Sequence, residues 1–332
     1  MTTRRRVLTR GAAVLGAAST GLLLPQIVSA QSQGYPSRPV RLICPYAAGG
    51  STDIISRAIA QEMSEVLGQP FIVENRVGAG PNVGSEMAAR SAPDGYTMVL
   101  TASSTHGIIP ALYTKLNYDP NKDFAPVVVL VAHRYVLLVK PTMNARSVKD
   151  IIQLAKAQPG KLTFASGGSG STTHMAGEMF KQMAGVDIAH IPYKGSTPAQ
   201  ADLLGGHVDM MFGDIPGTLA QIKAGKMRAL GVSGEKREAL LPDVPTIAES
   251  GVPGYEASVW MGLAVPSGTP KEIISKLNAA ALQGSKSPAF RKRMVEVGMD
   301  IVASTPEQMN QMIKVAIEQW GPVVKASGAK AD

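Results

Sequence analysis

Apolar and polar residues follow two patterns in turn along this chain. Short apolar runs predict buried strands, and longer segments in which apolar residues recur every three or four positions predict amphipathic helices. The predicted strands cover residues 40–44, 71–74, 96–101, 162–165, 187–191, 208–212 and 227–233. Their regular alternation with predicted helices is the signature of βαβ units, so the sequence predicts an α/β protein with mostly parallel sheets.

Two segments of the chain share one order of strand, loop, helix and strand. The first covers residues 40–74 and the second residues 162–191. The chain exceeds the size at which a single hydrophobic core usually stops growing, so we expect two lobes. Extended stretches at 127–140 and 255–265 are the expected crossings between them. One lobe is predicted to comprise residues 31–134 and 260–332, and the other residues 135–259.

The first 30 residues have the composition of an export signal. A basic head with the arginines Arg4–Arg6 precedes an apolar stretch and the small-residue end Val28-Ser29-Ala30. The apolar stretch is shorter than the roughly 20 residues that a membrane span needs, and Pro25 interrupts its end. We therefore predict a signal peptide of twin-arginine type, residues 1–30, cleaved after Ala30, and a periplasmic mature protein.

Charge and cysteine content exclude several classes of partner. The formal net charge is +8, and removal of the signal takes away four arginines and no acid, which leaves +4. The remaining basic residues are dispersed, which argues against a nucleic-acid face and against a polybasic membrane patch. Cys44 is the single cysteine, so the chain has no internal disulfide and no cysteine-based metal site.

Two glycine- and hydroxyl-rich loops each stand between a predicted strand and a predicted helix. The first loop, residues 45–53, reads Pro-Tyr-Ala-Ala-Gly-Gly-Ser-Thr-Asp, and the second loop, residues 166–174, reads Ser-Gly-Gly-Ser-Gly-Ser-Thr-Thr-His. Such a loop directs unpaired backbone N–H groups and the positive end of a helix dipole at one point, which makes it a candidate anion site. Two such loops in separate halves predict a ligand held between them.

Each loop contributes a set of candidate ligand contacts. Glycines let the backbone approach a ligand closely, Tyr46 offers a wall and a hydroxyl, and Ser51 or Thr52 is expected to cap the helix. The candidates are Tyr46, Ala47, Ala48, Gly49, Gly50 and Ser51 in the first loop, and Ser166, Gly168, Ser169, Gly170, Ser171 and Thr172 in the second. A tight turn without a ligand remains an alternative for the first loop, and a flexible linker for the second.

Polar residues after other predicted strands extend the candidate site. Thr101 ends the strand at 96–101, Ser103 and Ser104 come shortly after it, and Asp214 follows the strand at 208–212. Open α/β sheets place ligand clefts at such strand ends. Asp214 is expected either to orient a ligand group or to hold a turn. His174 is expected either to face the site or to pack in its helix.

Signatures of catalysis and of cofactor binding are missing from the sequence. Residues 78–84 invite a dinucleotide interpretation, but the glycine spacing is one residue too long and Pro81 lacks an N–H. No nucleophile elbow, P-loop or zinc-helix motif occurs, and the five histidines lack metal-site spacing. We predict no catalytic residue, no metal and no cofactor.

The motifs taken together resemble a known family, the Bug proteins, which are exported solute receptors of tripartite tricarboxylate transporters. The resemblance rests on the segments 45–53, 74–76, 78–80, 93–97, 166–171, 192–195 and 241–246 in this order, and it spans essentially the whole mature chain. Two positions depart from the usual pattern, Val77 and Pro81, where proline and glycine respectively are common. These changes affect the expected shape of the loop at 78–84 and not the main cleft.

The resemblance implies a two-lobed periplasmic-binding-protein fold of the Venus flytrap type. It implies ligand contacts in residues 46–51, 101–104 and 166–172 and at Asp214, and a membrane permease as partner. The sequence therefore predicts a monomeric receptor that captures a small carboxylate, a di- or tricarboxylate, by lobe closure. An exported enzyme and a sensor that signals through a partner remain alternatives.

Overall fold

The computed structural model describes residues 34–78 and 81–331. The predicted signal peptide and its cleavage point lie outside the described residues. The strands are β1 Val40–Cys44, β2 Phe71–Asn75, β3 Thr97–Ala102, β4 Phe124–Val139, β5 Thr163–Ser166, β6 Ala189–Pro192, β7 Met210–Asp214, β8 Arg228–Val232, β9 Ser258–Pro266 and β10 Asp300–Ile301. The helices are α1 Ser51–Leu67, α2 Asn82–Ala89, α3 Ser103–Gly107, α4 Ile109–Leu112, α5 Val148–Ala157, α6 Thr172–Ala184, α7 Ser196–Gly205, α8 Ile215–Lys223, α9 Lys271–Gly284, α10 Pro288–Glu296 and α11 Pro306–Ser327.

The strands form a continuous path in the order β2-β1-β3-β9-β4-β7-β5-β6, with β8 and β10 paired to β4 outside this path. The parallel pairs expected from the βαβ pattern are β1 with β2 and β3, and β5 with β6 and β7. The long strand β4 pairs antiparallel with β7 and with β9, and β9 also pairs antiparallel with β3. The sheet is therefore mixed, with a parallel group at each end.

Strand β4 connects the two parallel groups. Its first part pairs with β9 as far as Arg134, opposite Ser258. From Tyr135, opposite Asp214, to Val139 it pairs with β7, and β8 pairs with the same part. The strand thus changes partners between Arg134 and Tyr135, and the apolar run predicted as a crossing is one unbroken strand of 16 residues.

Helix caps follow the sequence closely except at α1. Ser147 and Thr305 form capping boxes, and Gly68 and Gly185 end their helices in the left-handed conformation. The prediction that Ser51 or Thr52 caps α1 is wrong. The N-cap residue is Gly50, which has no side chain to offer, and Ser51 is already the first helical residue.

Helix α11 packs directly against the segment that follows β3. The packing is so close that a Cβ on Gly107 would lie 2.3 Å from the carbonyl oxygen of Ala316. Trp320 of the same helix is fully buried in the main core cluster. The C-terminal helix therefore fixes the position of α3, whose first residues follow β3 at the candidate site.

Candidate functional site

A cavity of about 340 Å³ lies where β4 changes partners, and His133 and Tyr135 on either side of that point both line it. Its walls come from both parallel groups of the sheet. The other lining residues are Tyr46, Thr52, Pro81, Ala102, Ser104, Ile108, Ile109, Leu112, Tyr113, Gly167, Gly168, Ser169, Gly170, Ser171, Thr172, Val259 and Met261. Thr52 is in the first turn of α1 and Thr172 begins α6, so two helix N-termini meet at one cavity.

The first loop is held from behind by Asp53. Its carboxylate accepts hydrogen bonds from the backbone N–H of Gly49 at 2.9 Å, from Arg57 Nε at 3.0 Å and from Asn75 Nδ2 at 2.9 Å. The Asn75 amide also donates to the carbonyl oxygen of Tyr46 at 3.1 Å. Burial alone raises the pKa of Asp53, but these hydrogen bonds outweigh it and lower the pKa. Asp53 therefore supports the loop as an ionised acceptor.

The candidate residues of the first loop do not all reach the cavity. Tyr46 lines it, and burial raises the pKa of its phenol above the usual value. The backbone N–H of Gly49 donates to the Asp53 carboxylate and is therefore not available to a ligand. Among the described residues that line the cavity, the predicted contacts Ala47, Ala48, Gly49, Gly50 and Ser51 do not occur.

The second loop forms one wall of the cavity from Gly167 to Thr172. Several of its N–H groups are used within the loop: Gly168 donates to Ser166 Oγ, and Gly170 to His174 Nδ1. Ser171 caps α6 by accepting from His174 N. The N–H groups of Ser169, Thr172 and Thr173 have no acceptor among the described residues. Of these residues, Ser169 and Thr172 line the cavity and so offer backbone donors to a ligand.

A stack of aromatic rings supports the second loop from below. The imidazoles of His174 and His190 lie 3.7 Å apart with an angle of 11° between their planes, and Phe164 stacks on His190. Ser166 is fully buried and its hydroxyl lies 2.6 Å from His190 Nε2. Burial, together with the neighbouring His174, lowers the pKa of His190 to about 4. His174 and Ser166 are therefore part of the support and do not line the cavity.

The candidates after β3 divide in the same way. Ser104 lines the cavity. Thr101 is buried and its hydroxyl lies 3.0 Å from His106 Nε2, behind the cavity wall. Ser103 is also buried, and its hydroxyl has no partner among the described residues. Of this group only Ser104 is placed to touch a ligand directly in this arrangement.

Two cavity residues that sequence reasoning missed are on β4. Tyr135 is buried, its hydroxyl donates to Thr172 Oγ1, and burial raises the pKa of the phenol. His133 packs edge-on against that phenol, with 5.2 Å between ring centroids, and its Nε2 lies 3.2 Å from Asp214 Oδ1. A polar interruption in an otherwise apolar strand was the available signal for both residues. Asp214 does not line the cavity. Its carboxylate contacts the ring of His133, which does line it.

Apolar side chains complete the cavity. Ile108, Ile109 and Leu112 come from the segment after β3, and Val259 and Met261 from β9. Leu112 packs against the second loop so closely that a Cβ on Gly170 would lie 2.2 Å from Leu112 Cδ2. The two sides of the cleft are therefore in contact at this point.

The electrostatics of the lining are unusual for an anion site. No lysine, arginine, aspartate or glutamate is among the described lining residues. In the described part of the chain there is also no group of three or more residues suited to hold a metal ion. The groups that this lining could offer to a negative charge are therefore hydroxyls, backbone N–H groups and two helix N-termini.

Comparison with known proteins decides the family. Residues 55–329 match the family described as the tripartite tricarboxylate transporter family receptor. The chain belongs to this receptor family. The receptor is 38% identical over 326 residues to protein BugT of Bordetella pertussis, a match that covers 97% of this chain and 99% of BugT. The predicted resemblance and the predicted two-lobed periplasmic-binding-protein fold are both confirmed.

Solved structures agree with this assignment. A Rhodopseudomonas palustris protein with adipate is 36% identical, with a TM-score of 0.77, and the match covers 89% of the receptor and 98% of that chain. MatC from the same organism, with bound malate, is 33% identical with a TM-score of 0.75, and the match covers 87% and 100%. Among the described residues of the receptor, no helix combines the length and the apolar character needed to cross a membrane.

Proposed function

We propose that this receptor captures a small di- or tricarboxylate in the periplasm and delivers it to the membrane permease of a tripartite transporter. The observation that carries the proposal is the meeting of the N-termini of α1 and α6 at one cavity. Relatives of the same family hold adipate and malate, which are both dicarboxylates. The protein acts by binding, without a chemical step.

Energetics favour a ligand with two carboxylates over a ligand with one. A charge-assisted hydrogen bond contributes about 1.5–3 kcal/mol, whereas micromolar affinity needs about 8 kcal/mol after the cost of immobilising the ligand. One helix N-terminus with its few donors falls short of this requirement. Donors on two sides of the cavity, each engaging one carboxylate, meet it.

The position of the cavity supports lobe closure. We propose that residues 31–134 and 260–332 move as one lobe and residues 135–259 as the other, around the point where β4 changes partners. Ligand contacts with both lobes stabilise the closed state over the open state. The mature protein is proposed to begin after Ala30 and to act as a monomer.

A thermal-shift panel of succinate, glutarate, adipate, malate, citrate and free amino acids tests the proposal. Binding at 100 times Kd adds about 2.7 kcal/mol to the free energy of unfolding, which raises Tm measurably. Failure of every carboxylate to raise Tm would overturn the proposal.

A pair of glycine variants connects such binding to this cavity. Gly167→Leu adds a bulky side chain to a residue of the cavity wall without backbone strain, because its φ is not positive and a Cβ there makes only ordinary contacts, the nearest at 3.6 Å. Gly217→Leu, on α8 and outside the lining, is the control, with its nearest Cβ contact at 3.7 Å. We expect the Tm shift with ligand to disappear in the first variant and to persist in the second. Equal shifts in both would place the binding elsewhere.

A further inference from the structure

His133 has a buried ring nitrogen with no partner. Its side chain is 7% exposed, and Nδ1 makes no hydrogen bond to any described residue. Buried polar atoms are nearly always paired in folded proteins, so an unpaired one on a residue that lines the cavity points to a partner that arrives with the ligand.

The carboxylate beside the other ring nitrogen fixes what Nδ1 can do. Nε2 lies 3.2 Å from Asp214 Oδ1, and a carboxylate only accepts, so Nε2 carries the proton. In the neutral imidazole this leaves the lone pair on Nδ1. Nδ1 is then a pure hydrogen-bond acceptor, in a cavity whose other polar side chains are hydroxyls, which both donate and accept.

The acceptor is next to one of the proposed carboxylate sites. The Tyr135 ring packs against His133, and its hydroxyl donates to Thr172 Oγ1 at the N-terminus of α6. A single tyrosine side chain thus separates the donor group at α6 from the acceptor on His133. A ligand that satisfies both has a carboxylate and a hydrogen-bond donor close together.

We propose that His133, oriented by Asp214, recognises a hydroxyl or ammonium group on the carbon next to a ligand carboxylate, so that the receptor prefers substituted dicarboxylates to plain ones. The inference rests on the proposed function and names the ligand subclass of that same site. A site built around a hydrogen-bond acceptor discriminates against ligands that leave it unpaired. The carboxylate of Asp214, 45% exposed, adds attraction for an ammonium group over a hydroxyl.

Isothermal titration with two matched series of ligands tests the inference. Succinate, malate and aspartate share one carbon skeleton, and glutarate, 2-hydroxyglutarate and glutamate share another. We expect the wild-type protein to bind a substituted member of at least one series about tenfold more tightly than the plain acid, the difference that one additional hydrogen bond makes. Equal or tighter binding of the plain acids would overturn the inference, while their binding would still support the proposed function.

Three variants connect the preference to His133. His133→Phe keeps a ring and removes both nitrogens, and we expect it to bind substituted and plain acids within about twofold of each other. His133→Asn offers an amide oxygen close to the former Nδ1 position and should restore part of the preference. Asp214→Asn should weaken aspartate and glutamate binding more than that of the hydroxy acids. Should His133→Phe fail to fold, the other two variants still decide the question.

The outcomes separate the inference from the function on which it rests. A preference that survives in His133→Phe and in Asp214→Asn would overturn the role of His133. Absence of binding by all six acids, with adipate or citrate still bound, would overturn this inference alone, whereas absence of binding by every carboxylate tested would overturn the proposed function as well. Thermal unfolding of each variant without ligand distinguishes a lost preference from a lost fold.

Discussion

The carboxylate of Asp53 accepts the backbone N–H of Gly49 at 2.9 Å and so uses a donor that the sequence assigns to the ligand. Asp53 is in the first turn of α1 and is 4% exposed. Through Asn75 it also fixes the carbonyl oxygen of Tyr46. The shape of the first loop is therefore set by a buried carboxylate behind it.

Replacement of Asp53 is expected to loosen the first loop. Asp53→Asn replaces one carboxylate oxygen by an NH2 group, which cannot accept a hydrogen bond. Either the N–H of Gly49 or the side-chain amide of Asn75 then loses its acceptor, which lowers the free energy of unfolding by about 1–3 kcal/mol. We expect ligand affinity to fall at least fivefold, measured by titration calorimetry.

Asp209 provides the matched control for this variant. It accepts the N–H of Thr163 at 2.9 Å and pairs with Lys140 at 2.8 Å, outside the cavity lining. Asp209→Asn should lose comparable stability and keep its affinity. Equal loss of affinity in both variants would show that general destabilisation, and not the first loop, is responsible.

The contact between Gly170 and Leu112 predicts a sensitive position. Gly170 has a φ of +76°, and an added Cβ would collide with Leu112 across the cleft. Gly225 has a φ of +67° with open space around its Cβ, so Gly225→Ala measures the backbone strain alone, about 1–2 kcal/mol. We expect Gly170→Ala to lose more stability than Gly225→Ala and also to weaken ligand binding. The same loss in both variants would exclude a contribution from Leu112.

Two histidines predict a pH dependence of stability. The usual pKa of a histidine is 6.5. Burial lowers the pKa of His106 to about 4, and burial together with the neighbouring His174 lowers the pKa of His190 to about 4. The unfolded chain takes up these protons near pH 6.5, whereas the folded chain resists them. The stabilisation is therefore complete above pH 6.5 and is lost as the pH falls from 6.5 towards 4.

Denaturant unfolding between pH 7 and pH 4.5 measures this dependence. His190→Phe keeps an aromatic ring in the stack and removes one titrating group, so its free energy of unfolding should depend less steeply on pH. His207 is exposed, and His207→Phe should leave the slope unchanged. A wild-type slope in His190→Phe would contradict the prediction.

The Tyr135 hydroxyl is expected to matter for binding more than for stability. It donates to Thr172 Oγ1 at the N-terminus of α6, so Tyr135→Phe should release the Thr172 side chain and lower affinity several-fold. Tyr118 also donates a hydrogen bond from a buried phenol, to Asn82 at 3.2 Å, but it does not line the cavity. Both variants should lose about 0.5–1.5 kcal/mol of stability. Only Tyr135→Phe should lose affinity, and equal affinities would refute the role given to this hydroxyl.

The sequence predicts the elements well because their signals are local. The strand predicted at 40–44 is β1 Val40–Cys44, and Ser147 and Thr305, which are residue types that favour the N-cap position, cap their helices. The parallel pairs follow from the βαβ alternation. The antiparallel pairing of β4 with β7, which brings Tyr135 opposite Asp214, joins residues far apart in the chain and has no local signal.

The candidate site was predicted unevenly for a related reason. Glycine- and hydroxyl-rich segments mark where a loop can bind, but not which N–H groups the loop has already used. Gly49 donates to Asp53 and Gly170 to His174, and these bonds depend on side chains of the following helices. His133 and Tyr135 stand in an apolar strand whose partners are distant in sequence, so their role emerges only from the fold.

The unbroken strand β4 has a consequence for folding. Its two parts pair within two different groups of strands, so continuous strand backbone, and not a flexible loop, joins the two groups between Arg134 and Tyr135. We therefore expect the two halves to be coupled when the protein unfolds. The mature protein should unfold in a single cooperative transition, and ligand binding at the junction should stabilise both halves equally.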